Sequence, residues 1–164
     1  MVALDPYREW AARPTGDPRG TPRPQIMAAM LEIVGAEGPI LASRAYALYN
    51  RASGGKKLTT IARAPLSSAM HWLAQERKVV LVKRDEIPWQ DDDLVRLPDT
   101  AEVVVRELGP RTLDEVPLDE IAELMRRLGA RDAAVAKRAV LDVYGLKRLT
   151  TRADEYLGLA FELL

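Results

Sequence analysis

Residues 56–82, KKLTTIARAPLSSAMHWLAQERKVVLV, change their apolar period partway along. Leu66, Ala69, Met70 and Leu73 recur at the i, i+3, i+4, i+7 spacing of one helical face, which predicts a helix. Val79-Val80-Leu81-Val82 then runs apolar and β-branched, which predicts a strand. After a segment from Lys83 to Asp93 that holds a proline and several acids, Leu94-Val95-Arg96-Leu97 returns as a second strand. Upstream, QIMAAMLEIVGAEGP places Ile26, Met27, Met30, Ile33 and Val34 on one helical face, ended by Gly35 and Gly38-Pro39. LASRAYALYNRAS follows as a second helix, with Leu41, Ala45, Leu48 and Tyr49 along one side, Ser43 as its cap and Ser53-Gly54-Gly55 as its stop. Three helices and then a hairpin is the order of a winged helix, with the third helix as recognition element and the hairpin as wing.

Outward from this centre the chain divides into an N-terminal arm at 1–24, a winged-helix domain at 25–98 and a helical C-terminal part at 99–164. The arm carries five of the eleven prolines between Pro6 and Pro24, so it is not a continuous helix. Tyr7 and Trp10 suit it to lie as a strap across the adjoining domain. The C-terminal part offers a short strand at Val103-Val104-Val105. Two helices then follow, LDEIAELMRRL with Ile121, Leu124, Met125 and Leu128 apolar, and AAVAKRAVLDVY ended by Gly145. A last helix closes the chain.

A shift of 91 positions aligns Gly54-Gly55-Lys56-Lys57-Leu58-Thr59-Thr60-Ile61-Ala62 with Gly145-Leu146-Lys147-Arg148-Leu149-Thr150-Thr151-Arg152-Ala153, and nine of twenty positions from 54 to 73 are identical. Leu66 aligns with Leu157, Ala69 with Ala160 and Leu73 with Leu164. Two copies of one helix-turn-helix are inferred, the second without a wing. The expected fold is therefore mainly α with a small β-hairpin (α+β), a winged helix-turn-helix followed by a wingless helix-turn-helix repeat.

The formal net charge is zero, yet residues 41–84 hold nine cations against the single acid Glu76, while 85–164 is acidic. A local excess of this size is the footprint of a polyanion partner. The absence of cysteine removes disulfides, thiolate nucleophiles and Cys-ligated metals. The single histidine, His71, removes two-His zinc motifs. No nucleophile–base pair or metal set can be assembled, so a non-enzymatic chain without cofactor is expected. The amino terminus lacks the apolar core of a signal peptide and no run reaches the length of a membrane span, which predicts a soluble, cytoplasmic protein.

The candidate nucleic-acid contacts are Lys56, Lys57, Thr59 and Thr60 at the entrance to the third helix, Arg63, Ser67, Ser68 and His71 on or before it, and Lys83 and Arg84 at the start of the wing. Hydroxyls at Thr59 and Thr60 suit capping, and a helix start with two lysines suits a phosphate. Pro65 leaves two readings: the third helix begins there, or 60–64 form a separate turn. Trp72 is expected in the core. Trp89 is expected at the wing tip, either stacking on nucleic acid or packed against the domain. Asp91-Asp92-Asp93 is read as a solvated turn rather than a metal site, and Glu76-Arg77-Lys78 precedes Pro98-Asp99 in the wrong order for a nuclease of the PD…ExK kind. In the second copy Asp154, Glu155 and Glu162 occupy non-core positions, where a phosphate backbone would be repelled.

The stretches Glu37-Gly38-Pro39-Ile40, Arg44-Ala45-Tyr46, Leu48-Tyr49 and Arg51-Ala52-Ser53-Gly54-Gly55 resemble a domain of unknown function near the C-terminus of large bacterial superfamily-1 helicase-like proteins. The similarity extends through Arg106-Glu107-Leu108-Gly109-Pro110-Arg111, Glu115-Val116-Pro117 and Tyr144-Gly145-Leu146-Lys147-Arg148-Leu149-Thr150. The resemblance implies work on DNA beside helicase, nuclease-like or defence modules. The chain lacks the GxxxxGK[ST] phosphate loop, so it carries no motor. The first functional expectation is a non-catalytic DNA-binding protein, duplex rather than single strand, accessory to a helicase or nuclease system. The second is a protein-interaction module that docks a helicase-like or nuclease partner without touching DNA.

Overall fold

The computed structural model describes residues 2–84 and 92–164. The chain forms two compact units, Arg8–Glu102, and the residues up to Tyr7 together with Val103–Leu164. The fold is mainly helical with one small antiparallel sheet. Among the described residues no helix is long and apolar enough to cross a membrane.

In Arg8–Glu102 the order is α1 (Arg23–Glu37), β1 (Ile40–Leu41), α2 (Ala42–Ala52), α3 (Thr60–Gln75), β2 (Val80–Arg84) and β3 (Asp92–Arg96). Pro22 and Pro24 flank the start of α1, where a helix has N–H groups to spare. The helix buries Ile26, Ala29, Met30, Ile33, Val34 and Glu37. It does not stop at Gly35 as the sequence suggested. Burial of the last turn outweighs the roughly 1 kcal/mol that an interior glycine costs, and the Gly38 N–H closes the helix on the Val34 carbonyl at 2.8 Å. β3 lies between β1 and β2, with Val95 opposite both Ile40 and Leu81. The core joins Ile26, Met30 and Ile33 of α1 to Tyr46 and Tyr49 of α2, and to Leu66, Met70 and Leu73 of α3. The strap adds Trp10, buried among them, whose backbone N–H donates to Glu37 at 2.9 Å.

Several expectations are corrected here. Ser43 does not cap α2; it is the second residue of that helix, and its N–H donates to Asp92 Oδ1 at 3.0 Å while its hydroxyl donates to Oδ2. Asp92, 2% exposed, thus supplies the cap from β3 instead of lying in a solvated turn, because the positive end of α2 stabilises a buried carboxylate. Neither reading of Pro65 holds, since α3 runs unbroken with Pro65 inside it. The Thr59 hydroxyl accepts the Ala62 N–H at 3.1 Å and fixes the first turn upstream of the ring. The proline forfeits only the bond to the Ile61 carbonyl, on a stretch where Ile61 is 70% exposed and water can take its place. Trp72 is 43% exposed rather than core, with the Arg23 guanidinium 4.8 Å over its ring. Trp89 and Asp91 lie outside the described residues.

In the other unit α4 (Leu118–Leu128), α5 (Ala133–Tyr144) and α6 (Thr151–Phe161) pack through Ile121, Leu124, Met125, Val140, Leu141, Tyr156 and Leu157, all buried. Val103–Val105 is not a strand. The chain there makes an isolated bridge, Asp5 with Arg106, and the Asp5 N–H donates to the Val105 carbonyl at 2.9 Å. Glu120 is buried between Arg106 and Arg111, and both guanidiniums lie against the Tyr7 ring, at 5.1 and 4.4 Å.

The turns before α3 and α6 match bond for bond. Gly54 and Gly145 both take left-handed backbone, φ 91° and 74°, which a side chain would strain. The Gly55 N–H reaches the Asn50 carbonyl at 2.9 Å, and the Leu146 N–H reaches the Leu141 carbonyl at 2.8 Å. Thr150 caps Ala153 at 3.1 Å as Thr59 caps Ala62. Leu66, Leu157, Ala69 and Ala160 are all fully buried, whereas Leu73 is buried and Leu164 is 47% exposed. Equal caps give equal expectations: Thr59→Ala and Thr150→Ala should each destabilise the protein by about 1 kcal/mol in urea unfolding, and a cost confined to one of them would contradict the matched geometry.

Candidate nucleic-acid interface

α3 is the element around which the sequence-derived site assembles. Its apolar stripe, Ala62, Leu66, Ala69, Met70 and Leu73, turns inward, so the opposite side carries Thr60, Ile61, Ala64, Ser68, His71, Trp72 and Gln75 in the open. Over its sixteen residues α3 contains no acid. That outer face is small-sided at Ala64 and Ser68, which allows close approach of the helix to another surface.

The lysines Lys56 and Lys57 are exposed in the turn between Gly55 and the Thr59 cap, and neither forms an ion pair among the described residues. Thr60 is exposed at the first helical position. Thr59 is committed to its cap, so its hydroxyl serves the fold first. Arg63 is half-buried, its guanidinium 5.3 Å from the centre of the Tyr46 ring. Burial pushes the Tyr46 phenol up to about 12, against the opposing pull of Ser67 and the Arg63 charge. Ser67 is half-buried beside the outer face, and Ser68 is fully on it. His71 is exposed and its Nδ1 lies 2.7 Å from the Ser67 carbonyl, which can only accept. In the neutral ring the proton therefore sits on Nδ1, which leaves Nε2 as the acceptor. Lys83 is exposed on β2, away from the α3 turn in sequence. Arg84 closes β2, and its side chain lies outside what is described.

The basic count of 41–84 overstates the surface charge. Arg44 is 5% exposed and its Nε donates to Glu37 at 2.9 Å, so that cation is neutralised inside the unit. Lys78 faces Glu76 at 3.3 Å. Arg51, Lys56, Lys57, Arg63, Arg77 and Lys83 remain without an acidic partner among the described residues.

Sequence reasoning missed Ile61, Ala64, Trp72 and Gln75. The signal was present: carrying the stripe of Leu66, Ala69, Met70 and Leu73 back to Ala62 places Ile61 and Trp72 off its edge. It also missed Asn50, which lies beneath the Gly54-Gly55 turn.

At the matching place in the other unit, α6 begins with Asp154 and Glu155 exposed, the first paired to Lys137 at 2.7 Å, and Glu162 is exposed at its end. Arg138 donates to the Leu146 and Lys147 carbonyls and so braces that turn. Among the described residues no three His, Asp or Glu side chains converge as metal ligands. Comparison of the chain with protein-family models, curated proteins and solved structures gave no match.

Proposed function

We propose that the unit Arg8–Glu102 is a winged helix that binds DNA without catalysis, with α3 as its recognition helix and β2 and β3 as the stem of its wing. The observation that carries this reading is the outer face of α3: sixteen residues without an acid, standing on the unpaired Lys56 and Lys57. A helix start flanked by exposed lysines attracts phosphate, and Ser68 and the exposed His71 ring offer hydrogen bonds to base edges. Ile61 presents an apolar contact of the kind that meets a thymine methyl. The second unit is a wingless copy of the same helix-turn-helix, supported by the matched turns at Gly54 and Gly145, and its acids keep it off the phosphate backbone. In this reading the chain serves a helicase or nuclease system as a DNA-holding accessory.

Phosphate contacts should dominate. With Lys56, Lys57, Arg63 and Lys83 engaged on duplex, log K should fall against log[salt] with a slope of about −3.6, read by fluorescence anisotropy on a random duplex. Lys56→Ala/Lys57→Ala should flatten that slope by about 1.8. A flat response in the wild type rejects the reading. Ile61 and Trp72, exposed at 70% and 43%, favour the second reading, a docking face for a helicase-like or nuclease protein. It predicts no affinity for duplex or single strand even at low salt.

A further inference from the structure

A cavity of about 260 Å³ opens at the foot of α3, with Arg19, Asn50, Gly54, Gly55, Lys57 and Thr59 in its wall. Asn50 is only 6% exposed, yet its carboxamide makes no hydrogen bond to any described residue. Only its backbone carbonyl is engaged, by the N–H groups of Ser53 and Gly55 and the Ser53 hydroxyl. Asn50 is not among the side chains whose polar atoms are shut off from solvent, and it lines the cavity, so its carboxamide is free to bond whatever polar group enters there.

The turn itself does not require an asparagine. The residue that makes the same backbone bond before α6 is Leu141, fully buried and apolar. Gly55 is the companion feature: a Cβ there would lie 2.6–2.8 Å from the Asn50 carboxamide, and the matching position carries Leu146. Asn50 and Gly55 together keep a polar floor open in one turn, where Leu141 and Leu146 stand in the other.

Charge selects the occupant. Lys57 has no acidic partner among the described residues, while Arg19 donates to Asp17 at 3.2 and 3.0 Å. The Arg19 side-chain hydrogen bonds hold the Asp17 carboxyl below its ordinary range, so Asp17 stays ionised. Lys57, Arg19 and Asp17 sum to a single positive charge, at the positive end of α3. That matches a monoanion with acceptor oxygens and disfavours a dianion, which Asp17 would repel. The geometry points to a seat for one phosphodiester group, held by the Asn50 amide and Lys57; as a contact to the bound strand it rests on the DNA-binding reading above.

The test uses the full chain, ¹⁵N-labelled, with dimethyl phosphate as the diester probe and inorganic phosphate at pH 8 as the dianion probe. The Asn50 side-chain NH₂ signal should shift with dimethyl phosphate and shift less with inorganic phosphate. In parallel, Asn50→Leu should weaken duplex binding about ten-fold with an unchanged salt slope, because no cation is removed. Asn50→Asp, nearly isosteric, should weaken binding further. Duplexes with 5′-phosphate and 5′-hydroxyl ends should bind alike; a preference for the phosphorylated end would overturn the diester assignment. Wild-type affinity in Asn50→Leu with a motionless Asn50 signal overturns the seat and leaves DNA binding standing. If the wild type binds no DNA, that reading falls, and the dimethyl phosphate arm decides the seat alone: a moving Asn50 signal supports it and a still one overturns it.

Discussion

Glu120→Ala is expected to cost the protein about 3–5 kcal/mol, read as the loss of helical signal at lower urea. Glu120 is 2% exposed, and its carboxylate accepts four hydrogen bonds. Arg106 supplies its backbone N–H at 3.2 Å and its guanidinium at 2.8 Å, and Arg111 supplies two guanidinium bonds at 3.1 and 2.9 Å. Truncation leaves two arginines, 5% and 4% exposed, facing each other without the intervening negative charge. A typical domain has only about 5–15 kcal/mol to lose, so the variant forfeits a large share of its stability. Glu120→Gln should be nearly as harmful, because one oxygen becomes an NH₂ aimed at arginine donors. Replacing the three together, Arg106→Met/Arg111→Met/Glu120→Leu, should cost less than Glu120→Ala alone, since no uncompensated charge remains. If the triple variant is the less stable of the two, the cluster contributes through its own bonds rather than through the penalty of breaking it.

The second large effect is expected at Glu37, which is fully buried. One carboxylate oxygen accepts Arg44 Nε at 2.9 Å and the other accepts the Trp10 backbone N–H at 2.9 Å. Glu37→Ala removes the buried acceptor of both the Arg44 Nε and the Trp10 N–H, again at about 3–5 kcal/mol. Tryptophan fluorescence reads this variant well, because Trp10 is itself the buried partner of Glu37 and Trp72 lies in the same unit. In a double-mutant cycle, adding Arg44→Ala to Glu37→Ala should cost far less than Arg44→Ala does in the wild type. Additive costs would mean that the two side chains act separately.

These buried ions mark where sequence reasoning stopped. Helices whose apolar residues recur on one face were legible, and so was the Thr59 cap, because both signals are local. β1 was not: Ile40–Leu41 is a strand only because β3, far along the chain, pairs with it. Asp92 was read as part of a solvated turn, and nothing within a few residues of Glu37, Asp92 or Glu120 announces the donors that fold over them. Arg44 was counted with the exposed cations for the same reason. The exposure of Lys56 and Lys57 was legible in the basic stretch, and neither has an acidic partner among the described residues. Its relief was less so: Arg63 and Ser67 are half-buried, Thr59 is committed to its cap, and Trp72 is out. Asn50 offered one signal only, its alignment with Leu141 when the sequence is shifted by 91 positions.

The strap has a practical consequence for anyone dissecting the molecule. Hydrophobic periodicity invites a cut just before Gln25, yet Trp10 fills the interior and its amide completes the coordination of an internal anion. Thr15 and Gly16 also bond to Tyr49, through its carbonyl and its hydroxyl. A shortened gene product beginning at Gln25 would thus expose a hollow and an under-coordinated carboxylate at once, and a failure to recognise nucleic acid in such a fragment would report on its collapse rather than on its binding surface.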